Sequence, residues 1–104
     1  MKRTRIVKQI SDAIHQVDPS ATAILYGSEA RGDARADSDI DVLILIDGDT
    51  LNLEKEQRYT TPLYMIEWST GVPVSPTVML RKDWEHRPFK TPFYINVKNE
   101  GRIL

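Results

Sequence analysis

The sequence contains no cysteine. Disulfide scaffolds, thiolate zinc sites and cysteine nucleophiles are therefore excluded. It contains no long apolar run. The longest aliphatic stretch, residues 42–46, has five residues, far short of the roughly 20 that a membrane span needs, so no membrane association is expected. It also has little net charge. Fourteen Lys and Arg face fifteen Asp and Glu, leaving −1 at pH 7, which excludes a polyanion binder whose whole surface is basic. The basic N-terminus is followed by no apolar core of a signal segment, so a secretory leader is not expected and the cytoplasm is the expected compartment. Internal repeats and low-complexity segments are absent from the sequence.

What remains is an ordinary globular composition: 104 residues, 40% hydrophobic and 28% charged. Length alone points to one domain over residues 1–104. A chain of this size buries roughly 65% of its unfolded surface, enough for one modest core. The charges are unevenly spread. Residues 1–28 carry four basic and two acidic groups, residues 29–67 four basic and ten acidic, and residues 68–104 six basic and three acidic. The acidic middle reads either as a solvated face or as a cation site, because hard divalent ions take oxygen ligands.

Periodicity places the elements. Ile6, Ile10, Ala13, Ile14 and Val17 recur at three- and four-residue steps, which predicts an amphipathic helix over residues 3–17. Asp18-Pro19-Ser20 stops it. Residues 21–26 suit a strand that Gly27-Ser28 breaks. Residues 29–36 read as a helical turn and a loop. Residues 40–46 form the clearest strand, with Ile40, Val42, Ile44 and Ile46 on one face and Asp39, Asp41, Leu43 and Leu45 on the other. Asp47-Gly48-Asp49 signals a turn.

A second helix is expected over residues 51–69, with Leu53, Tyr59, Leu63, Met65 and Ile66 on its apolar side and Pro62 kinking or splitting it. Gly71 suits its C-terminal cap. Residues 72–80 read as a third strand, pushed to a sheet edge or a bulge by Pro73 and Pro76. Residues 82–86 form a helical turn ending before Pro88. Thr91-Pro92 caps a last helix, in which Phe93 and Val97 share a face and Gly101 ends the run. The order αβ(turn)βαβα describes a small mixed β-sheet with helices packed on it, an α/β (α+β) fold.

The stretch from Gly27 to Asp41 carries the chemistry. Gly27 and Gly32 have the spacing of P-loop glycines, but Asp33-Ala34 stands where Lys-Ser or Lys-Thr would follow. The regular ligand spacing of an EF-hand is also missing. Asp39 and Asp41 lie two residues apart at a strand start, so both carboxylates project from one face, about 6.6 Å apart along the chain. Such a pair can converge on Mg²⁺, and without a cation its members repel each other. Gly27 lets the backbone approach a phosphate closely. The Ser28 hydroxyl and neighbouring N–H groups can donate to phosphate oxygens. A phosphate cradle beside a carboxylate pair suits metal-assisted phosphoryl or nucleotidyl transfer.

Gly27-Ser28, ten residues, then Asp39-x-Asp41 resembles the signature of the DNA polymerase β-like nucleotidyltransferase superfamily. Ala30-Arg31-Gly32, Ser38 and the aliphatic run at 42–46 are similar to its minimal nucleotidyltransferase branch. Four fixed residues at ordinary usage match somewhere in a chain this long by chance with probability of about 10⁻³. The resemblance spans most of the chain and implies a nucleotidyltransferase-like fold. It implies that Gly27 and Ser28 hold a nucleoside triphosphate, ATP first among them, and that Asp39 and Asp41 are catalytic and bind two Mg²⁺ ions. Arg31 is within reach of a phosphate, or of Glu29 and Asp33. The resemblance further implies an acceptor hydroxyl, a tyrosine of a helical HEPN-type partner, and a toxin–antitoxin setting. The superfamily's third carboxylate belongs on the next core strand. Here that strand reads Val72-Pro73-Val74-Ser75-Pro76-Thr77-Val78, with Ser75 or Pro73 at the position and Glu67 and Asp83 beyond the strand's two ends.

The other notable residues have plainer readings. Trp68 and Trp84 read as packing residues, and His15 as solvent-facing. The two basic groups (Lys2, Arg3, Arg5 and Lys8; Arg81, Lys82, His86, Arg87 and Lys90) read as solvated surface, or as weak RNA contacts whose affinity would fall with salt. Phe89, Phe93 and Tyr94 read as core closure or as a partner patch. A magnesium-dependent transferase is the leading functional reading. A degenerate domain that binds nucleotide or partner without chemistry is the alternative.

Overall fold

The computed structural model describes residues 3–86 and 90–104. Among them are five helices and four strands: α1 (Arg3–Val17), β1 (Thr22–Tyr26), α2 (Gly27–Arg31), β2 (Ile40–Ile46), α3 (Leu53–Thr70), β3 (Val74–Leu80), α4 (Arg81–Glu85), α5 (Pro92–Glu100) and β4 (Arg102–Ile103). The strands form one mixed sheet in the order β3-β2-β1-β4. β1 runs antiparallel to β2 and β4. β2 runs parallel to β3, and α3 is the crossover that a parallel pair requires.

The alternation read from β2 sets the layers. Ile40, Val42, Ile44 and Ile46 are buried with Ile6, Ile10 and Ile14 of α1 and with Tyr59 and Leu63 of α3. Leu43 and Leu45 face the other way, against Trp84 of α4 and Val97 of α5. The sheet is thus covered on both faces. Its one half-exposed central position on β2 is Asp41, at the strand's first turn of pleat.

α1 has the predicted bounds, because isoleucines at four-residue steps leave one apolar stripe. Pro73 and Pro76 hold β3 at the sheet edge, as expected. Thr91 caps α5 by accepting from the Tyr94 N–H at 3.2 Å, and Gly71 caps α3 with a left-handed φ of 75°.

Several expectations need correction. α3 is one helix through Pro62, neither split nor stopped. Tyr59, Leu63 and Ile66, at four- and three-residue steps, pack on the core, and that burial outweighs one lost backbone bond. Leu53 and Met65 are 69% and 67% exposed, because the buried stripe passes to their side. Trp68 is 91% exposed, whereas Trp84 is buried. His15 is half-buried, with its ring nitrogens at 3.3 Å from Ser11 Oγ and 3.2 Å from the Ala21 carbonyl. Arg81 belongs to no solvated basic cluster: it donates to Asp47, Thr22, and the carbonyls of Ser20 and Leu45. α4 (Arg81–Glu85) falls where a helical turn is expected, and the two-residue β4 stands outside the expected order. Lys2, Arg87 and Phe89 lie outside the described residues, and Phe93 and Tyr94 close the smaller core. Among the described residues, no helix is long and apolar enough to cross a membrane.

Candidate active site

The antiparallel β1–β2 pair puts the end of β1 beside the start of β2, with Tyr26 opposite Asp41. The parallel β2–β3 pair puts the start of β3 there too, with Asp41 opposite Ser75. Gly27, Ser28, Asp39, Asp41 and Ser75 therefore gather at one end of the sheet, which is the grouping the sequence predicts.

Gly27 turns the chain out of β1 with φ of 74°, a conformation that favours glycine. A Cβ there would also collide with Asp41 Oδ2. α2 then lasts five residues and ends at Gly32, φ 85°, whose N–H returns to the Ser28 carbonyl at 3.0 Å. The loop from Gly32 to Asp39 is held by Arg3. Its guanidinium bonds Glu29 Oε1 at 2.6 Å, the Ala36 carbonyl at 3.0 Å and the Ser38 carbonyl at 2.6 Å. Ser38 adds a bond from the Arg35 N–H to its Oγ at 2.9 Å. Glu29 is thereby committed to Arg3.

Asp39 precedes β2 and is exposed; Asp41 is half-buried. Burial pushes the Asp41 carboxyl above its ordinary value, the Asp39 charge pushes further, Arg31 partly opposes this, and Glu100 adds to it. Ser75 donates its hydroxyl to Asp39 Oδ2 at 2.8 Å. Ser75, not Pro73, is thus the β3 side chain at the carboxylate pair. The nearest acidic candidates along the chain do not reach it: Glu67 accepts from the Val74 N–H at 2.7 Å, and Asp83 is exposed on α4. Among the described residues, no group of three His, Cys, Asp or Glu is placed to hold a metal. The pair alone suits Mg²⁺ in kind: two hard oxygens in mutual repulsion, with room for water and phosphate oxygens to complete six-fold coordination.

Arg31 pairs with Asp33 and Glu100, each at 3.2 Å, and not with Glu29. These acidic partners hold the guanidinium's own pKa up, Glu100 foremost. Two residues at the site escape sequence reading. Tyr26 shares Asp41's face and meets Phe93 edge-on, ring centroids 5.3 Å apart. Burial raises its phenol, the Thr77 side chain pulls it back, and the Asp41 charge raises it further. The alternation of β1 was the available signal for Tyr26. Glu100 accepts from the Gly27 N–H at 3.1 Å across 73 residues of sequence, and no local pattern marks it. A cavity of about 310 Å³ between α1 and the sheet's β4 edge, lined by Val7, Lys8, Leu25 and Leu104, touches this region only through Glu29.

Residues 7–103 match the family described as Nucleotidyltransferase domain. The chain belongs to that family. Comparison with curated proteins gives no match. Among solved structures, the fold is similar to a toxin–antitoxin crystal structure with AMP-PNP, at TM-score 0.60 and 21% identity, covering 99% of this chain and 72% of that one. It is likewise similar to a mutant of the toxin–antitoxin MntA–HpeT, at TM-score 0.59 and 22% identity, covering 100% of this chain and 72% of that one.

Proposed function

We propose that this chain is a single minimal nucleotidyltransferase domain that moves a nucleoside monophosphate from a nucleoside triphosphate, ATP in the first instance, to a hydroxyl. The observation that carries the proposal is the convergence of Gly27-Ser28 with Asp39 and Asp41 at one sheet end, in a chain of this family. Gly27 N–H and the Ser28 hydroxyl would donate to phosphate oxygens, and Arg31 would add a guanidinium to them. Asp39 and Asp41 would hold Mg²⁺, which supplies charge neutralisation at the α-phosphate and the departing pyrophosphate. The acceptor oxygen bonds to the α-phosphorus as the bond to the bridging oxygen breaks, and pyrophosphate leaves.

Ser75 donates to Asp39 and so orients that carboxylate. A neutral hydroxyl takes no proton from the acceptor, so the proton passes to solvent or to a group from a partner. Lack of a positioned base lowers a rate by about 10²- to 10⁴-fold, and the isolated chain is accordingly slow. The acceptor we propose is a tyrosine of a helical HEPN-type protein, with this chain as cytoplasmic antitoxin. The toxin–antitoxin assemblies of similar fold support a protein partner.

Calorimetric titration of ATP with and without Mg²⁺ into the wild type and an Asp39→Ala/Asp41→Ala variant tests the reading. Magnesium-dependent binding lost in the folded variant is the expected result. Ser75 at the β3 position favours one second reading, a domain that binds nucleotide and partner without transfer. Under it the double variant still binds the partner and still protects cells.

A further inference from the structure

The Gly27 amide and the Arg31 guanidinium are not idle. Both are engaged by one carboxylate, Glu100, the last residue of α5. Its Oε1 accepts from Gly27 N–H at 3.1 Å, and Arg31 Nη1 lies 3.3 and 3.2 Å from its two oxygens. α2 has no side-chain cap of its own at Tyr26, so Glu100 fills that role from the far end of the chain. The choice of group is electrostatically unfavourable. Glu100 adds negative charge to a corner that already holds Asp39 and Asp41, and raises the Asp41 carboxyl with them. The Arg31–Glu100 pair is partly solvated, its side chains 47% and 23% exposed, and ion pairs open to water contribute little to stability. The donors that hold Glu100 are those suited to a phosphate: a backbone N–H and a forked guanidinium.

Resting on the nucleotide site proposed above, we infer that Glu100 is an internal substitute for a phosphate, seated on the site's anion donors until a triphosphate displaces it. The displacement is a side-chain rotation. The backbone cannot follow, because Val97 is buried beneath α5, and the Cα of Gly101 packs so tightly on Ile24 and the Val97 carbonyl that a Cβ would collide with both. Glu100 is not read as a replacement for the missing metal ligand, since the described residues contain no three-carboxylate group placed for a metal. Its contact with Gly27 and Arg31 therefore opposes nucleotide entry and keeps the free site closed to weakly bound anions. A Glu100→Gln side chain keeps an acceptor for Gly27 N–H but releases Arg31 and removes the negative charge.

The test is calorimetric titration of ATP, and separately of tripolyphosphate, each with Mg²⁺, into the full chain as wild type, E100Q, E100D and D39N/D41N, with folding checked by circular dichroism. E100Q is expected to bind both probes about 5- to 20-fold more tightly. E100D, too short to reach Gly27, is expected to bind them more tightly as well, and it serves if E100Q fails to fold. Unchanged or weaker binding by E100Q or E100D, with binding by the wild type that D39N/D41N abolishes, overturns the inference and leaves the nucleotide site standing. Absence of binding to every protein, or binding to D39N/D41N equal to the wild type, overturns the site reading and this inference with it.

Discussion

The space that a side chain at Gly27 would need is filled by the Asp41 carboxylate. The glycine of the motif and its second aspartate thus fit as a pair, one giving up volume to the other. Gly27→Ala meets two obstacles: a φ of 74° and the Asp41 Oδ2 atom. We expect it to cost about 2–3 kcal/mol of stability and to abolish magnesium-dependent ATP binding, because Asp41 must move. Gly32→Ala is the control. Its φ is 85°, but nothing lies within 4 Å of a Cβ there, so about 1–2 kcal/mol of backbone strain is the whole expected effect. Chemical denaturation and calorimetry on both variants separate the two contributions.

Asp41 gives a pH signature. Its carboxyl lies above the ordinary aspartate value of 3.8, through burial first and the Asp39 charge second. The folded state therefore holds this proton more tightly than the unfolded state. Between 3.8 and the raised value, stability falls as pH rises, and the loss persists at neutral pH. Asp18 acts in the opposite sense. Its carboxyl is lowered, chiefly by the hydrogen bond from Ser20 and with help from Tyr59, so its stabilisation is present above 3.8 and lost as pH falls. Asp41→Asn is expected to raise the melting temperature at pH 7 and to leave it unchanged well below pH 3.8. Mg²⁺ should raise the wild-type value and not that of the variant. Thermal melts across pH, with and without Mg²⁺, read both effects.

Arg3 ties the motif loop to the body of the domain. With its side chain 11% exposed, it serves Glu29 and two loop carbonyls at once. Arg3→Lys keeps the charge and loses the fork. It is expected to cost about 1–3 kcal/mol and to weaken magnesium-dependent ATP binding, since the 32–38 loop delivers Asp39. Arg5→Lys, on the exposed side of α1, should change neither quantity. An Arg3→Lys variant with full stability and full binding would show that the loop holds itself.

Much of this geometry was legible in the sequence, for a physical reason. α1 and β2 are regular, so their isoleucines announce both the element and its buried face. The motif residues are local, and two strand ends suffice to bring Gly27 to Asp41. What was illegible is set by packing at a distance. Pro62 reads as a break until Tyr59 and Leu63 are seen held in the core. β4 is two exposed residues with no pattern of its own. Glu100 reaches Gly27 only because Val97 and Phe93 seat α5 over Leu43 and Tyr26, and none of that is periodic.

Ser75 offers the sharpest test of how far the chemistry goes. It stands opposite Asp41 in the sheet register and donates to Asp39, so a carboxylate built there would face both members of the pair. Ser75→Asp is expected to destabilise the free protein by about 1–2 kcal/mol, through a third like charge and the lost hydrogen bond. Mg²⁺ should restore that stability, because a third hard oxygen completes the donor set. If transfer is limited by the missing base, the variant should also speed nucleotide transfer to its acceptor by about 10- to 100-fold, followed by release of pyrophosphate. Tighter Mg²⁺ binding with no gain in rate would locate the limiting proton transfer away from β3, in a group that the acceptor brings. No change in Mg²⁺ affinity would mean that Asp39 and Asp41 do not hold the ion, and the reading of the chain as a domain that only binds would then stand in its place.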